Sequence, residues 1–171
     1  MSLVTVRCAT LLDRGRWWLL LSLLLLLLDQ ASKGWISGYL SLHQSEPLMA
    51  GLNLTLMHNY GAAFSFLGNA GGWQRWLFSG IAVAVSLLLT VWLWRLQGNR
   101  RLALALALIL GGALGNLWDR LLLGYVIDFI DIYYAGWHWP AFNMADSAIT
   151  VGALLLLWHE MQPATTNGET Q

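Results

Sequence analysis

Four long apolar stretches separated by short polar ones set the pattern of this chain. The first begins at Trp17-Trp18 and runs through Leu19 to Leu28, then meets Asp29, Gln30, Ser32 and Lys33 before Trp35-Ile36. A helix rises about 1.5 Å per residue and a bilayer core is about 30 Å thick, so the run ending at Leu28 is too short to span. The helix must therefore carry Asp29 and Lys33 with it, over about residues 17–36. A secretory signal is the other reading of a basic start and a leucine core, but cleavage after Ala31 would put Asp29 where a small residue is needed. The remaining spans are predicted at about 76–94, 102–123 and 143–159, the last being the shortest. Between the first two, Leu52, Leu54 and Leu56 alternate with Asn53, Thr55 and Met57, the period of a strand with one apolar face. The following stretch from His58 to Phe66 sets small residues among aromatics. These patterns predict an all-α integral membrane protein, a four-transmembrane-helix bundle with a small sheet at about 41–72 resting on the bilayer interface, its role left open by the pattern.

Composition agrees, with 57% hydrophobic and 11% charged residues, too apolar for a soluble domain of 171 residues. That length allows one compact bundle, a single domain over 1–171. Formal net charge is zero, and no basic patch suits nucleic acid. The placement of the cations is more informative. Arg7, Arg14 and Arg16 precede the first span and Arg95, Arg100 and Arg101 join the second to the third, so both stretches and both termini are expected on the cytoplasmic side. Segments 41–72 and 124–142 then face the opposite side. Gly111, Gly112 and Gly115 in the third span are small residues that let helices approach closely.

Candidate chemistry is confined to the acids. Cys8 has no second cysteine and no nearby histidine, and reads as inert. His43, His58, His138 and His159 show no ligand spacing, so no metal is expected, and no serine sits in a Gly-x-Ser-x-Gly elbow. Asp29, Asp119, Asp128, Asp131 and Asp146 remain, in or beside the outer half of the bundle. Carboxylates at membrane depth are costly and are functional suspects. Each also has a plainer reading. Asp29 and Lys33 form an i,i+4 pair. Asp119, with Asn116 and Arg120, suggests a polar tie between helices, with Arg120 able to grip a carboxylate or phosphate in bidentate fashion. Asp131 reads as solvated, Asp128 as a loop residue, and Asn143 with Asp146 as a capping box. On spacing alone a catalytic pair of Asp128 and Asp146 stands beside these readings.

Five ordered blocks add to this: Asp29-Gln-Ala-Ser-Lys33, Asn59-Tyr-Gly-Ala-Ala-Phe-Ser65, Gly111-Gly-Ala-Leu-Gly-Asn-Leu-Trp-Asp-Arg120, Val126-Ile-Asp-Phe129 and Phe142-Asn-Met-Ala-Asp-Ser147. In order and spacing they resemble the bacterial lipoprotein signal peptidases, or signal peptidase II, over nearly the whole chain between the two tails. The resemblance implies a four-helix membrane aspartic endopeptidase without cofactor, with a small extracytoplasmic β-sheet cradle for the substrate, in which Asp128 and Asp146 match the catalytic pair. Asp29, Lys33, Asn59, Gly61, Asn116, Asp119, Arg120 and Asn143 match positions that support the site or contact substrate. It also implies prolipoprotein substrates, cut just before a cysteine carrying diacylglyceryl. Membrane lipids as partners, a monomer, and an inner-membrane enzyme with its site near the extracytoplasmic face complete the expectation. Two carboxyls close together in a low dielectric share one proton, so that one activates water while the other donates to the oxyanion. The rival readings are a small proton-relay transporter or channel subunit and a non-catalytic assembly factor packing through its glycines. A peptidase needs both aspartates, a relay tolerates one as glutamate, and a scaffold needs neither.

Overall fold

The computed structural model describes residues 14–61, 66–68 and 70–162. The expectations for Arg7, Cys8 and residues 62–65 of the Asn59 block lie outside the described residues. A short 3-10 turn, Gly15–Trp18, leads into α1 (Leu19–Tyr39), followed by β1 (Ser45–Met49), β2 (Leu52–Asn59), α2 (Trp73–Arg95), α3 (Arg100–Leu122), β3 (Val126–Tyr134), β4 (Trp137–His138) and α4 (Met144–Glu160). Helix α1 does continue through Asp29 and Lys33. Among the described residues three helical stretches are long and apolar enough to cross a membrane, Gly15–Tyr39, Trp73–Arg95 and Arg100–Leu122. Helix α4 is apolar but only 17 residues long.

The all-α expectation is too simple. The four strands form one antiparallel sheet in the order β1-β2-β3-β4, drawn from both of the outer segments. Segment 124–142, where no strand was expected, supplies β3 and β4. Its first residues, Val126, Ile127, Asp128 and Phe129, are all buried, so they lack the alternation that marks a half-exposed strand. The alternation in β2 is also interrupted. Its register on β3 shifts between Leu54 and Met57, so Thr55 and Leu56 are both buried while Met57 is exposed, the signature of an extra residue in the ladder. Beyond the shift, Met57 pairs with Asp128. On the other edge of β3, the Phe142 carbonyl accepts from the Phe129 and Ile130 amides at 3.0 and 2.8 Å.

Helix α3 is the hub, packing against α1, α2 and α4. Its alternating Leu and Ala residues, followed by the glycines, keep it thin enough to be surrounded. A Cβ on Gly111 would lie 2.8 Å from the Leu25 Cβ and one on Gly112 would collide with the Ala145 carbonyl. Close approach is sealed by Ser22, whose hydroxyl donates to the Ala107 carbonyl at 2.9 Å. Leu89, Leu93, Leu102, Leu106 and Leu110 fill the core at one end of the bundle, while Ile36, Leu40, Leu56, Ile127 and Phe129 seat the sheet on the end of α1 at the other. Outward, Leu20, Leu23, Leu24, Leu27 and Leu28 of α1 are exposed, as expected of a face solvated by lipid rather than water.

The packing makes a direct prediction for glycine substitutions. Gly112→Ala, forced onto the α4 backbone, should destabilise by about 1–3 kcal/mol. Gly80→Ala, with nothing within 4 Å of its added methyl, should be neutral or stabilising by up to about 1 kcal/mol. Thermal unfolding in detergent measures both, and equal melting temperatures for the two variants would contradict this account of the α3–α4 contact.

Candidate active site

At the sheet end of the bundle a buried ammonium gathers four elements. Lys33 Nζ lies 2.7 Å from Asp29 one turn earlier on α1 and 2.9 Å from Asp119 on α3, and donates to Asn116 Oδ1 at 3.1 Å. Lys33, Asp29 and Asp119 are each only 1% exposed. Two carboxylates against one ammonium leave excess negative charge, which further donors offset. The Ala145 amide in the first turn of α4 donates to Asp29 Oδ1 at 2.9 Å. The Ile127 amide of β3 donates to Asp119 Oδ2 at 3.2 Å. Gln30 Nε2 lies 2.9 Å from Asp119 Oδ1 and 3.2 Å from Asp29 Oδ2. The expected Asp29–Lys33 pair is therefore present, and Asp119 pairs with Lys33 rather than with its neighbour Arg120.

Asn116 carries this cluster to the two suspect aspartates. Its Oδ1 faces Lys33, so its amide nitrogen points the other way and donates to Asp146 Oδ1 at 2.7 Å. Asn143 is fixed by the same logic. As the N-cap of α4 its Oδ1 accepts from the Asp146 amide at 2.9 Å, leaving its Nδ2 to donate to Asp128 Oδ1 at 2.7 Å. Asn59 is fixed too, since its Oδ1 accepts from the Gly61 amide at 2.9 Å and its Nδ2 donates to Asp128 Oδ2 at 3.0 Å. Three asparagines thus have their carbonyl ends occupied by other donors and present N–H to carboxylate. Asp128, on a strand rather than in a loop, is 2% exposed and accepts from an amide on each oxygen. Burial first, and then the charge of Asp146, push its carboxyl up to about 7, against the opposing pull of the Asn59 and Asn143 amides and of Lys33. The capping role of Asn143 and the contact of Asp146 with Asn116 coexist, so the capping reading and the pair reading are not exclusive.

Arg120 does not grip a carboxylate. Its Nη2 donates to the Gly61 carbonyl at 2.9 Å and its Nη1 to Asn116 O at 3.3 Å, with the guanidinium over the Phe78 ring at 5.5 Å. Gly61 is required there, because a Cβ would collide with the Phe66 carbonyl. Asp131 is corrected more sharply. It is buried, not solvated, and accepts from Asn53 Nδ2 at 2.9 Å beside His138 Nδ1 at 2.9 Å; the strands that create this environment are those the sequence pattern hides. Gln30 was missed altogether. Its signal is a polar residue next to Asp29 inside an otherwise leucine-rich span.

A cavity of about 830 Å³ opens beside these groups. Asn59, Asn116, Arg120 and Asp146 form its polar end, and apolar side chains of α2, α3 and α4, among them Phe78, Val85, Ile109 and Val151, form the rest. Trp137 and Trp139 stand along it from the β4 side. An extended apolar trough with a few convergent polar groups is the form of a site for a largely apolar ligand.

The backbone is that of a membrane enzyme. It superposes on a bacterial membrane enzyme solved by the in meso method at 2.3 Å resolution with a TM-score of 0.78 and 30% identity, covering 90% of this chain and 93% of that one. A second such enzyme, at 1.9 Å resolution, gives 0.74 and 30% over 85% and 93%. Residues 21–162 match the Signal peptidase (SPase) II family. The lipoprotein signal peptidase of Teredinibacter turnerae is 54% identical over 145 residues, 84% of this chain and 86% of that protein. That of Acinetobacter baylyi is 57% identical over 141 residues, 82% and 79%. The chain belongs to the signal peptidase II family, which makes it a membrane peptidase and favours that reading over a proton relay.

Removing the ammonium should expose what it compensates. Lys33→Met leaves Asp29 and Asp119 buried without their cation and should cost about 3–5 kcal/mol. Adding Asp29→Asn and Asp119→Asn to the same chain should recover much of that loss. Thermal unfolding of the single and triple variants in detergent is the measurement, and a Lys33→Met protein as stable as the parent would remove the cluster from its structural role.

Proposed function

We propose that this chain is an aspartic endopeptidase that removes signal peptides from diacylglyceryl-modified prolipoproteins, cutting just before the lipidated cysteine, with Asp128 and Asp146 as its catalytic pair. The observation that carries the reading is the meeting of these two side chains, from β3 and α4, at one asparagine cluster at the polar end of an apolar cavity. Family membership supports the substrate, since the relatives are lipoprotein signal peptidases. The apolar trough suits the hydrophobic stretch of a signal peptide, and its exposed flanks leave the diacylglyceryl chains to the bilayer. The remaining residues support the pair. Asp29, Lys33 and Asp119 hold the elements together, Asn59, Asn116 and Asn143 orient the carboxyls, and Arg120 with Gly61 shapes the polar end.

The chemistry follows from the surroundings of the pair. Asp128 holds its proton up to about 7, so below that pH the pair carries a proton that one carboxyl can donate while the other acts as base. The ionised member takes a proton from water as that water attacks the scissile carbonyl. The protonated member donates to the developing oxyanion, and the tetrahedral intermediate then collapses with protonation of the leaving amine. Water is the nucleophile, so no acyl-enzyme forms.

In the membrane we place α4 as a fourth span beside the three longer helices, with the whole chain as one peptidase domain acting as a monomer among lipids of the bacterial inner membrane. Arg14, Arg16, Arg95, Arg100 and Arg101 lie at one end of the bundle, where Arg14 bridges to Gln97. By the positive-inside rule that end is cytoplasmic, both termini lie there, and the site faces the extracytoplasmic side.

Cleavage of a diacylglyceryl-modified prolipoprotein by the purified protein tests the activity. Asp128→Asn and Asp146→Asn should each remove turnover while leaving thermal unfolding in place, and near-normal turnover by either would sink this choice of pair. The pH dependence supplies a second test. Raising pH past about 7 strips the proton that the pair shares, so kcat/KM should fall on that side. Asn59 donates to the ionised form of Asp128 and lowers its pKa. Asn59→Ala should therefore move the alkaline limb to higher pH, and a shift to lower pH would contradict the assignment of that limb to Asp128.

A further inference from the structure

The end of α3 next to the site is held by an arginine from the neighbouring helix. Arg75, in the first turn of α2, is half-buried and donates from Nε to the Arg120 carbonyl and from Nη2 to the Leu121 carbonyl, both at 2.7 Å. The last four carbonyls of a helix have no partner inside it. Here the Asp119 carbonyl accepts from the Leu123 amide at 2.7 Å and the Gly124 amide at 3.3 Å, and the next two are taken by Arg75. A guanidinium is suited to this, because its fixed fork spans adjacent acceptors and its charge faces the negative end of the helix. The guanidinium also stacks over the Trp76 ring at 4.9 Å.

Two further observations tie this cap to the site. Gly124, at φ +88°, makes the turn from α3 into the strand that carries Asp128, and a Cβ there would lie 3.3 Å from Arg75 Nη1. The guanidinium therefore packs on the corner itself. One turn along α2 from Arg75, the Phe78 ring lies beneath the Arg120 guanidinium. The first two turns of α2 thus hold Arg120 by its main chain and its side chain together. Arg120 in turn holds the Gly61 carbonyl, and the Gly61 amide holds Asn59 against Asp128. Helix α2 packs chiefly on α3, and on the 3-10 turn at its far end, so near the site this clasp is its main polar tie, while Phe78, Ile81, Ala82 and Val85 of the same helix form one wall of the cavity.

We infer that Arg75 is a positioning residue for substrate binding, clasping the α3–β3 corner so that Arg120 and the α2 wall of the cavity stand in register with the aspartate pair. This rests on the peptidase reading, and it assigns Arg75 an effect through Arg120 rather than contact with the reacting atoms. An arginine merely anchoring α2 at the membrane surface would stabilise the fold and have no coupling to Arg120.

The test uses the full chain in lipid with diacylglyceryl-modified prolipoprotein, comparing Arg75→Gln, Arg75→Lys, Arg120→Ala and the Arg75→Gln/Arg120→Ala double variant. Arg75→Gln should raise KM by about tenfold with kcat within about threefold, the loss of binding without loss of chemistry. Arg75→Lys, with a single ammonium for two carbonyls, should fall between it and the parent. In the Arg120→Ala background the same change should add less than about twofold, since the two residues act as one unit. Multiplying effects in the double variant, a fall in kcat at unchanged KM, or parental KM in both Arg75 variants would each overturn the inference. Should Arg75→Gln not fold, Arg75→Lys carries the test alone, and a parental KM there would sink it. Hydrogen exchange keeps the clasp separable from the substrate reading. The amides of Leu123 and Gly124, which donate to the Asp119 carbonyl, should lose protection in Arg75→Gln or Arg75→Lys, and unchanged protection would refute the clasp even if the parent cleaved no prolipoprotein.

Discussion

The buried ammonium of Lys33 is the interaction on which the rest of the structure depends. Apolar helices in lipid have little reason to prefer one register over another, because a leucine packs as well against a lipid tail as against a neighbouring leucine. The ion cluster removes that freedom. Lys33 fixes α1 to α3 through Asp119 and Asn116. Asp29 extends the tie to the first turn of α4 through the Ala145 amide, and Asp119 extends it to β3 through the Ile127 amide. The two elements that deliver Asp146 and Asp128 are thus referenced to one point. Buried charges of this kind do not stabilise more than a good apolar contact would. Their value lies in being satisfied in only one arrangement.

Neutral amides, and not further cations, separate this cluster from the aspartate pair. A guanidinium or ammonium directly on Asp128 or Asp146 would favour the ionised form of both carboxyls and take away the proton that general acid catalysis needs. Asparagine offers a donor without charge, yet its amide can flip and present the wrong end. Each flip is blocked here by an independent donor on the carbonyl side: Lys33 for Asn116, the Asp146 amide for Asn143, the Gly61 amide for Asn59. The amides order the carboxyls, and the ion cluster orders one of the amides, Asn116, directly.

Much of this was legible in the sequence where the cause is local. Helix α1 had to run past Asp29 because its leucines alone are too few, and the i,i+4 spacing of Asp29 and Lys33 already paired them. The cap at Asn143 was readable for the same reason. What was hidden is non-local. Val126 to Phe129 are all buried, with β2 along one edge and the Phe142 segment along the other, so no alternation announces a strand. The register shift in β2 depends on that hidden partner, and the burial of Asp131 depends on both Asn53 and His138 crossing from neighbouring strands. Arg120 was expected to seek an anion, but the nearest acceptors the fold offers are main-chain carbonyls at Gly61 and Asn116.

The glycines of α3 join these two themes. Read from sequence they suggest close helix packing, and Gly112 does press on the backbone of α4. Gly115 has a different neighbour. A Cβ there would lie 2.6 Å from Asp29 Oδ2, so the space its missing side chain leaves is occupied by a carboxylate. The Gly115 carbonyl also lies 3.2 Å from Gln30 Nε2, bringing that amide over the same pair of acids. The small-residue stripe is therefore both a packing surface and the room in which a membrane protein can bury charge. An alanine at 115 would move Asp29 off Lys33 and off the first turn of α4 together, which makes a residue without a side chain part of the electrostatic arrangement.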